Sequence, residues 1–268
     1  MPKHSFPIDG PINLLVRIGH GSVTVDTEDG LEQASVEIQA GKNAGELLHQ
    51  TVVMMSGRTL TVAAPRQGGI FDLPVFGRRI GRSLDVKVVV PTGTAVKIST
   101  VTAPITVVGH VGGADLAFGA SDAGLRHVEG NLRLRFGSGN ARVVQVTGSV
   151  ELRSGSGSAS FGEIGGALNA GCGSGDLDVH VIRGAVRSRC GSGSARLGEV
   201  HGDVDLATGS GGLEIGLPTG VTARLDVHSG SGQVSSELPI DDKPASTEDV
   251  ITVRAKTGSG DVRLFRAA

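Results

Sequence analysis

Apolar residues return along this chain with a beat of 18 residues, plainest when residues 101–226 are set out as seven rows of 18. The seventh column then reads Val107, Leu125, Val143, Phe161, Val179, Leu197 and Ile215, apolar in every row. The tenth reads His110, Val128, Val146, Ile164, Ile182, Val200 and Pro218, and the fourteenth Ala114, Leu132, Val150, Leu168, Val186, Val204 and Thr222. A fixed period of this length marks a repeat architecture in which equivalent positions of successive coils superpose. These three columns are therefore predicted to face inward. The sixth column, with Arg142, Asp178, Arg196 and Glu214, and the fifteenth, with Asp115, Arg133, Glu151, Asn169, Arg187 and Asp205, alternate with them at period two and are predicted to face solvent. Their mixed signs avoid a stack of like charges about 4.8 Å apart.

Glycine keeps the same time. Gly-Ser-Gly begins at Gly137, Gly155, Gly173, Gly191 and Gly209, and a second glycine recurs at Gly112, Gly130, Gly148, Gly166, Gly184, Gly202 and Gly220. Such glycines suit tight corners, with the serines bonding nearby backbone. The predicted fold is thus all-β: a single-stranded, right-handed β-solenoid with coils of about 18 residues, each holding two short strands. One strand is expected to end near the seventh position and the other to span roughly the thirteenth to eighteenth.

Outside the repeat the organisation loosens. Residues 1–100 read as irregular strands and a cap continuous with the solenoid, with clear alternation in Ser22–Val25 and Ser35–Ile38 and one short helix around Ala44–His49. The regular repeat is placed at 101–229. Residues 230–268 read as a C-terminal coil with a long loop at 239–249 and a terminal pair of strands, Val250–Lys256 and Asp261–Arg266.

Composition supports this picture, with 43 Gly, no Trp, no Tyr and seven Phe among 268 residues, as many tight turns between thin strands require. The net charge of −2 lacks the basic excess of a nucleic-acid binder. No run of 18 apolar residues occurs, and the first residues, Met1–Pro7, lack the apolar stretch of a signal peptide, so a cytoplasmic location without direct membrane insertion is expected.

Several motifs together resemble a known family. They are Gly-Ser-Val-Thr-Val at Gly21–Val25, Leu-Asp-Val-Lys-Val-Val-Val-Pro-Thr-Gly at Leu84–Gly93, the repeated Gly-Ser-Gly coils, and Thr-Gly-Ser-Gly-Asp-Val at Thr257–Val262. The set is similar to the toastrack, or putative-adhesin, β-strand-repeat proteins, a bacterial domain of unknown function. That resemblance covers nearly the whole chain. It implies a β-helix-like fold, no established catalytic residues, and in some members an association with envelope-stress systems or surface adhesion.

Catalytic chemistry finds little footing. Glu163 and Glu199 share the ninth column two coils apart with Val181 between them, a spacing that loosely suits an inverting glycosidase. The serine column Ser138, Ser156, Ser174, Ser192, Ser210 has no His or Lys in an adjacent column to activate a hydroxyl. His127 and His180 read as surface residues. No metal-ligand spacing, phosphate-binding loop or dinucleotide fingerprint is found, so no metal and no cofactor is expected. Cys172 and Cys190, one period apart in the eighteenth column, would stack with Cα atoms about 4.8 Å apart, within disulfide range. In a reducing cytoplasm they are expected to be a pair of small buried thiols.

The function expected is therefore a non-catalytic interaction scaffold for an unidentified protein partner, linked by the resemblance to an envelope-stress or surface-associated system. A self-assembling, filament-like protein joined through the solenoid ends is the alternative, and a glycan-active enzyme using Glu163 and Glu199 is a weaker one. The candidate partner site is Arg66–Ser83, where Arg66, Arg78, Arg79 and Arg82 face a single acid, Asp72, and Phe71 and Phe76 are interleaved with glycines. The same stretch also reads as an end cap whose Phe residues seal the core.

Overall fold

The computed structural model describes residues 3–42, 44–65, 82–238 and 250–267, and these fall into two compact units, Met1–Gly130 and Asn131–Ala268. Both are built almost wholly of strands.

The first unit holds β1 (Lys3–Pro7), β2 (Asn13–Arg17), β3 (Gly21–Glu28), β4 (Gln33–Ala40), the short helix α1 (Gly45–Gln50), β5 (Val52–Ser56), β6 (Thr59–Ala63), β7 (Leu84–Pro91), β8 (Ala95–Thr100), β9 (Ile105–Val111), β10 (Gly113–Ala120) and β11 (Ala123–Val128). Its strands run side by side in the orders β1-β4-β7-β3-β9-β11 and β10-β8-β2-β6-β5. The first coil, β2 with β3, lies inside: β2 pairs in parallel with both β6 and β8, and β3 with both β7 and β9. Antiparallel β5 lies on β6, β4 on β7 and β1 on β4. Reversed strands of this kind end a parallel stack, because each satisfies one row of backbone groups without starting a new coil.

In the second unit the chain continues through β12 (Leu132–Ser138), β13 (Asn140–Val146), β14 (Val150–Ser154), β15 (Ser158–Ile164), β16 (Leu168–Ser174), β17 (Leu177–Ile182), β18 (Val186–Ser192), β19 (Ala195–Val200), β20 (Val204–Ser210), β21 (Leu213–Leu217), β22 (Thr222–Ser229), β23 (Val234–Ser236), β24 (Val250–Ser259) and β25 (Val262–Arg266). Every strand pairing given for this unit is parallel, in the orders β13-β15-β17-β19-β21-β25-β23 and β12-β14-β16-β18-β20-β24-β22. From Val143 to Ile215 the seventh-column residues stand opposite one another at steps of 18 residues, and Leu264 follows Ile215. The fourteenth column does the same from Leu132 to Val204. All are buried, Phe161 at 2% exposure being the largest. Each such side chain contributes roughly 1.5–3 kcal/mol by leaving water, so the stacked columns are the core.

Side-chain oxygens finish the corners. The Ser158 hydroxyl accepts from the amide of Asp176, the Asp176 carboxylate from that of Ser194, and the Ser194 hydroxyl from that of Gly212. A second series runs from Asn131 to the Ser149 amide and from the Ser149 hydroxyl to the Ala167 amide. Where the backbone leaves a strand its amides lose their ladder partners, and short polar side chains one coil away replace them. At Gly193, φ is +137°, and a Cβ there would run into the backbone of Gly175. Only glycine fits that corner.

Several expectations are corrected. The first strand of each coil does not end near the seventh position but continues to the tenth, as β15 and β19 show. Burial at positions five, seven and ten, a step of two followed by a step of three, requires the strand to kink after the seventh residue, and because β13, β15, β17 and β19 kink alike their pairing stays in step. In β9 an extra residue enters at Gly109, whose φ is +91°, and Val111 takes the inward place beside Val128 that was expected for His110. His110 is exposed, its backbone amide donating to Thr27 Oγ1 at 2.8 Å. In the seventh row Leu217, not Pro218, is the buried residue.

β24 and β25 are the last two strands of the chain but not the outermost of their sheets. β24 inserts between β20 and β22, and β25 between β21 and β23, so Val253 takes the place beside Val204 that was expected for Thr222. Thr222 is exposed in the outermost strand. Cys172 and Cys190 are not free buried thiols: they are disulfide-bonded and half-buried.

Candidate functional site

Five of the sequence-predicted partner residues, Arg66, Phe71, Phe76, Arg78 and Arg79, lie outside the described residues. The sixth, Arg82, precedes β7 and holds Glu46 of α1 at 3.7 Å, both side chains well exposed. An exposed pair of this kind contributes at most about 1 kcal/mol.

The two carboxylates considered for glycan chemistry stand in adjacent rows of pairing with Val181 between them. Each is held by a neighbour of its own, Glu163 by Arg183 at 2.8 Å and Glu199 by the His201 ring at 2.9 Å. An acid and a base acting on one bond need to converge on a shared space, and these are turned to separate neighbours. The repeated serines Ser138, Ser156, Ser174, Ser192 and Ser210 are exposed along a corner. Among the described residues no cluster of three or more His, Cys, Asp and Glu side chains has the geometry to hold a metal ion, and no helix is long and apolar enough to cross a membrane.

A site that the sequence did not announce lies on the outer face of the second unit. The kink after the seventh residue places the eighth column, Val144, Gly162, His180 and Gly198, on the surface of β13, β15, β17 and β19. Side chain and glycine alternate along it, because a Cβ at Gly162 or Gly198 would run into the backbone carbonyl of Val144 or His180 one coil away. The result is an open groove of about 710 Å³. Arg142, Ser160, Asp178 and Arg196 of the sixth column form one side, Glu199 stands on the other, and Phe265 with Ala267 closes an end. The Phe265 ring takes the space a side chain at Gly216 would need, and the Arg263 guanidinium lies 6.0 Å from its centre.

The two outer faces of this unit differ in how their charges are spent. On strands β12, β14, β18 and β20 of the other sheet two acids each hold two arginines. Arg133 and Arg153 share Glu151 at 2.8 and 3.1 Å, and Arg189 and Arg187 share Asp205 at 2.7 and 3.6 Å. Arg189 donates to the Asp205 carboxylate and holds its pKa below the usual carboxylate range. Along the groove Arg196 reaches Glu214 at 3.5 Å, whereas Arg142, Asp178 and His180 have no hydrogen-bond or ion-pair partner among the described residues. The groove is therefore lined by charges of both signs that are free to meet a ligand.

A comparison of the sequence with family models finds a match over residues 14–267 to Toastrack DUF4097. The chain belongs to the Toastrack DUF4097 family. The sequence matches no curated protein. Among solved structures, this toastrack chain is similar to a putative adhesin from Parabacteroides merdae, with 13% identity, 97% of this chain and 95% of that one covered, and a TM-score of 0.47. A putative adhesin from Bacteroides fragilis has 11% identity, coverage of 98% and 96%, and a TM-score of 0.43. A putative lipid binding protein from Parabacteroides distasonis has 13% identity, coverage of 98% and 96%, and a TM-score of 0.43.

Proposed function

We propose that this toastrack chain is a non-catalytic interaction scaffold, a right-handed β-solenoid whose β13-β15-β17-β19 groove holds an extended segment of a protein partner. The observation that carries the reading is the set of groups Arg142, Asp178 and His180 that line one groove and have no partner among the described residues. Crossing four strands, the groove is about 14 Å long, the length of roughly four residues of extended polypeptide. Ser160, His180 and Glu199 offer it donors and acceptors. Arg142 and Asp178, of opposite sign and two strands apart with Ser160 between them, favour a segment carrying both signs over a uniformly charged one. The link to an envelope-stress or surface-associated system rests on the family resemblance alone, and naming the partner would decide it.

The test is co-purification of partners from the native cell with three tagged proteins: the natural chain, an Arg142→Glu/Asp178→Lys variant, and an Asn169→Asp control on the companion sheet, where Asn169 is exposed. The groove variant is expected to lose the protein that the natural chain and the control retain. Equal recovery with all three would overturn the reading.

A further inference from the structure

Among the described residues the outermost coil of the second unit leaves its inward column only half covered. Ala223, Leu225, Val227 and Ser229 of β22 stand opposite Ile251, Val253, Ala255 and Thr257 of β24. The β24 residues are buried, at 7%, 0%, 0% and 4% exposure. Their β22 counterparts, in the same inward column, are only half-buried. On the other sheet Val234 of β23 is 49% exposed where its neighbour Val262 is 0%. Among the described residues β22 pairs with β24 alone, so one of its edges keeps a free row of amides and carbonyls. A flat edge of this length invites another strand.

We infer that this edge pairs with β22 of a second copy, antiparallel about a twofold axis through Leu225, to give a closed dimer. The sequence of β22 selects the register. With Leu225 opposite its own counterpart, Arg224 of each copy faces Asp226 of the other and Ala223 faces Val227, so both inward columns meet on the same side. Shifting by one residue in either copy would set the inward column of one against the outward column of the other. A shift of two sets Arg224 against Arg224 in one direction and Asp226 against Asp226 in the other. The Leu225-centred pairing is thus the register that joins opposite charges, and a twofold axis makes the contact twice. Asp226 is 58% exposed and its contact with Lys256 is long, at 3.8 Å, which leaves its carboxylate open to Arg224 of the second copy. The partner here is the chain itself, so the inference stands apart from the groove and its ligand. It also differs from filament growth, because a twofold contact uses up the edge in both copies.

Sedimentation equilibrium of the full chain tests it, with Arg224→Asp and the exchanged pair Arg224→Asp/Asp226→Arg as variants. The natural chain is expected to be a dimer. Arg224→Asp, which sets acid against acid twice, should weaken association roughly tenfold or more, and the exchanged pair should restore it. Residues 224 and 226 point outward from an edge strand, so unchanged thermal transitions are expected to accompany both variants. A monomeric natural chain, a dimer indifferent to Arg224→Asp, failure of the exchange to rescue, or an open series of larger species would each overturn the inference.

Discussion

Cys172 and Cys190 stand directly opposite each other in the adjacent strands β16 and β18, with Cα atoms 4.6 Å apart, joined by a disulfide that closes one coil of 18 residues. Restricting the unfolded chain by a loop of this size stabilises the folded state by about 3 kcal/mol. The neighbouring residues in the same column are Ser154 and Thr208, so a hydroxyl is tolerated there. The Cys172→Ser/Cys190→Ser variant should therefore fold and lose about 3 kcal/mol in denaturant titrations. Reductant should lower the midpoint of the natural chain to that of the variant and leave the variant unmoved. A natural chain indifferent to reductant would show that the bond carries no stability. Such bonds persist in oxidising compartments and are reduced in the cytosol, so alkylation of free thiols in intact cells also tests the cytoplasmic location expected from the sequence.

The corners make a sharper prediction. Gly193→Ala forces a side chain against the Gly175 backbone at a positive φ and should cost about 1–3 kcal/mol. Gly124→Ala, which meets nothing within 4 Å and lies in β11, should be neutral or slightly stabilising. Melting temperatures of the two variants compare them directly. Equal effects would mean that the Gly-Ser-Gly corners are not sterically closed.

The strict period made the inward columns legible, because parallel coils stack equivalent positions and each apolar entry repeats the same statement. Spatial order was not legible. Val253, Leu225 and Val204 all satisfy the same inward column, so nothing in the residues says that β24 slips between β20 and β22. The bulge at Gly109 was hidden for a related reason. One extra glycine moves Val111 into the place of His110 without disturbing the beat on either side.

The groove escaped notice because it has no motif. Its signal is the eighth column, Val144, Gly162, His180 and Gly198, which looks like noise beside the clean seventh column until the kink turns it outward. Phe265 could not have been placed there from sequence, since its contact with Gly216 depends on the inserted position of β25.

Charge on the companion sheet supplies a pH dependence. Asp205 lies between Arg187 and Arg254 in the strand pairing, and the Arg189 hydrogen bond, ahead of the charges of Arg189, Arg187 and Arg254, lowers its pKa in the folded protein. A carboxylate whose folded pKa lies below its unfolded value near 4 stabilises the fold fully above that value. The contribution is lost as pH falls through the lower, folded pKa. At 31% side-chain exposure the pair is worth only about 0.5–1 kcal/mol in neutral solution. Asp205→Asn should therefore be less stable than the natural chain by that amount at neutral pH, and the gap should close in acid, where the natural carboxylate is protonated. Urea titrations of both proteins at neutral pH and below the carboxylate range measure the gap. A gap of the same size in acid would assign the loss to packing around residue 205 rather than to its charge.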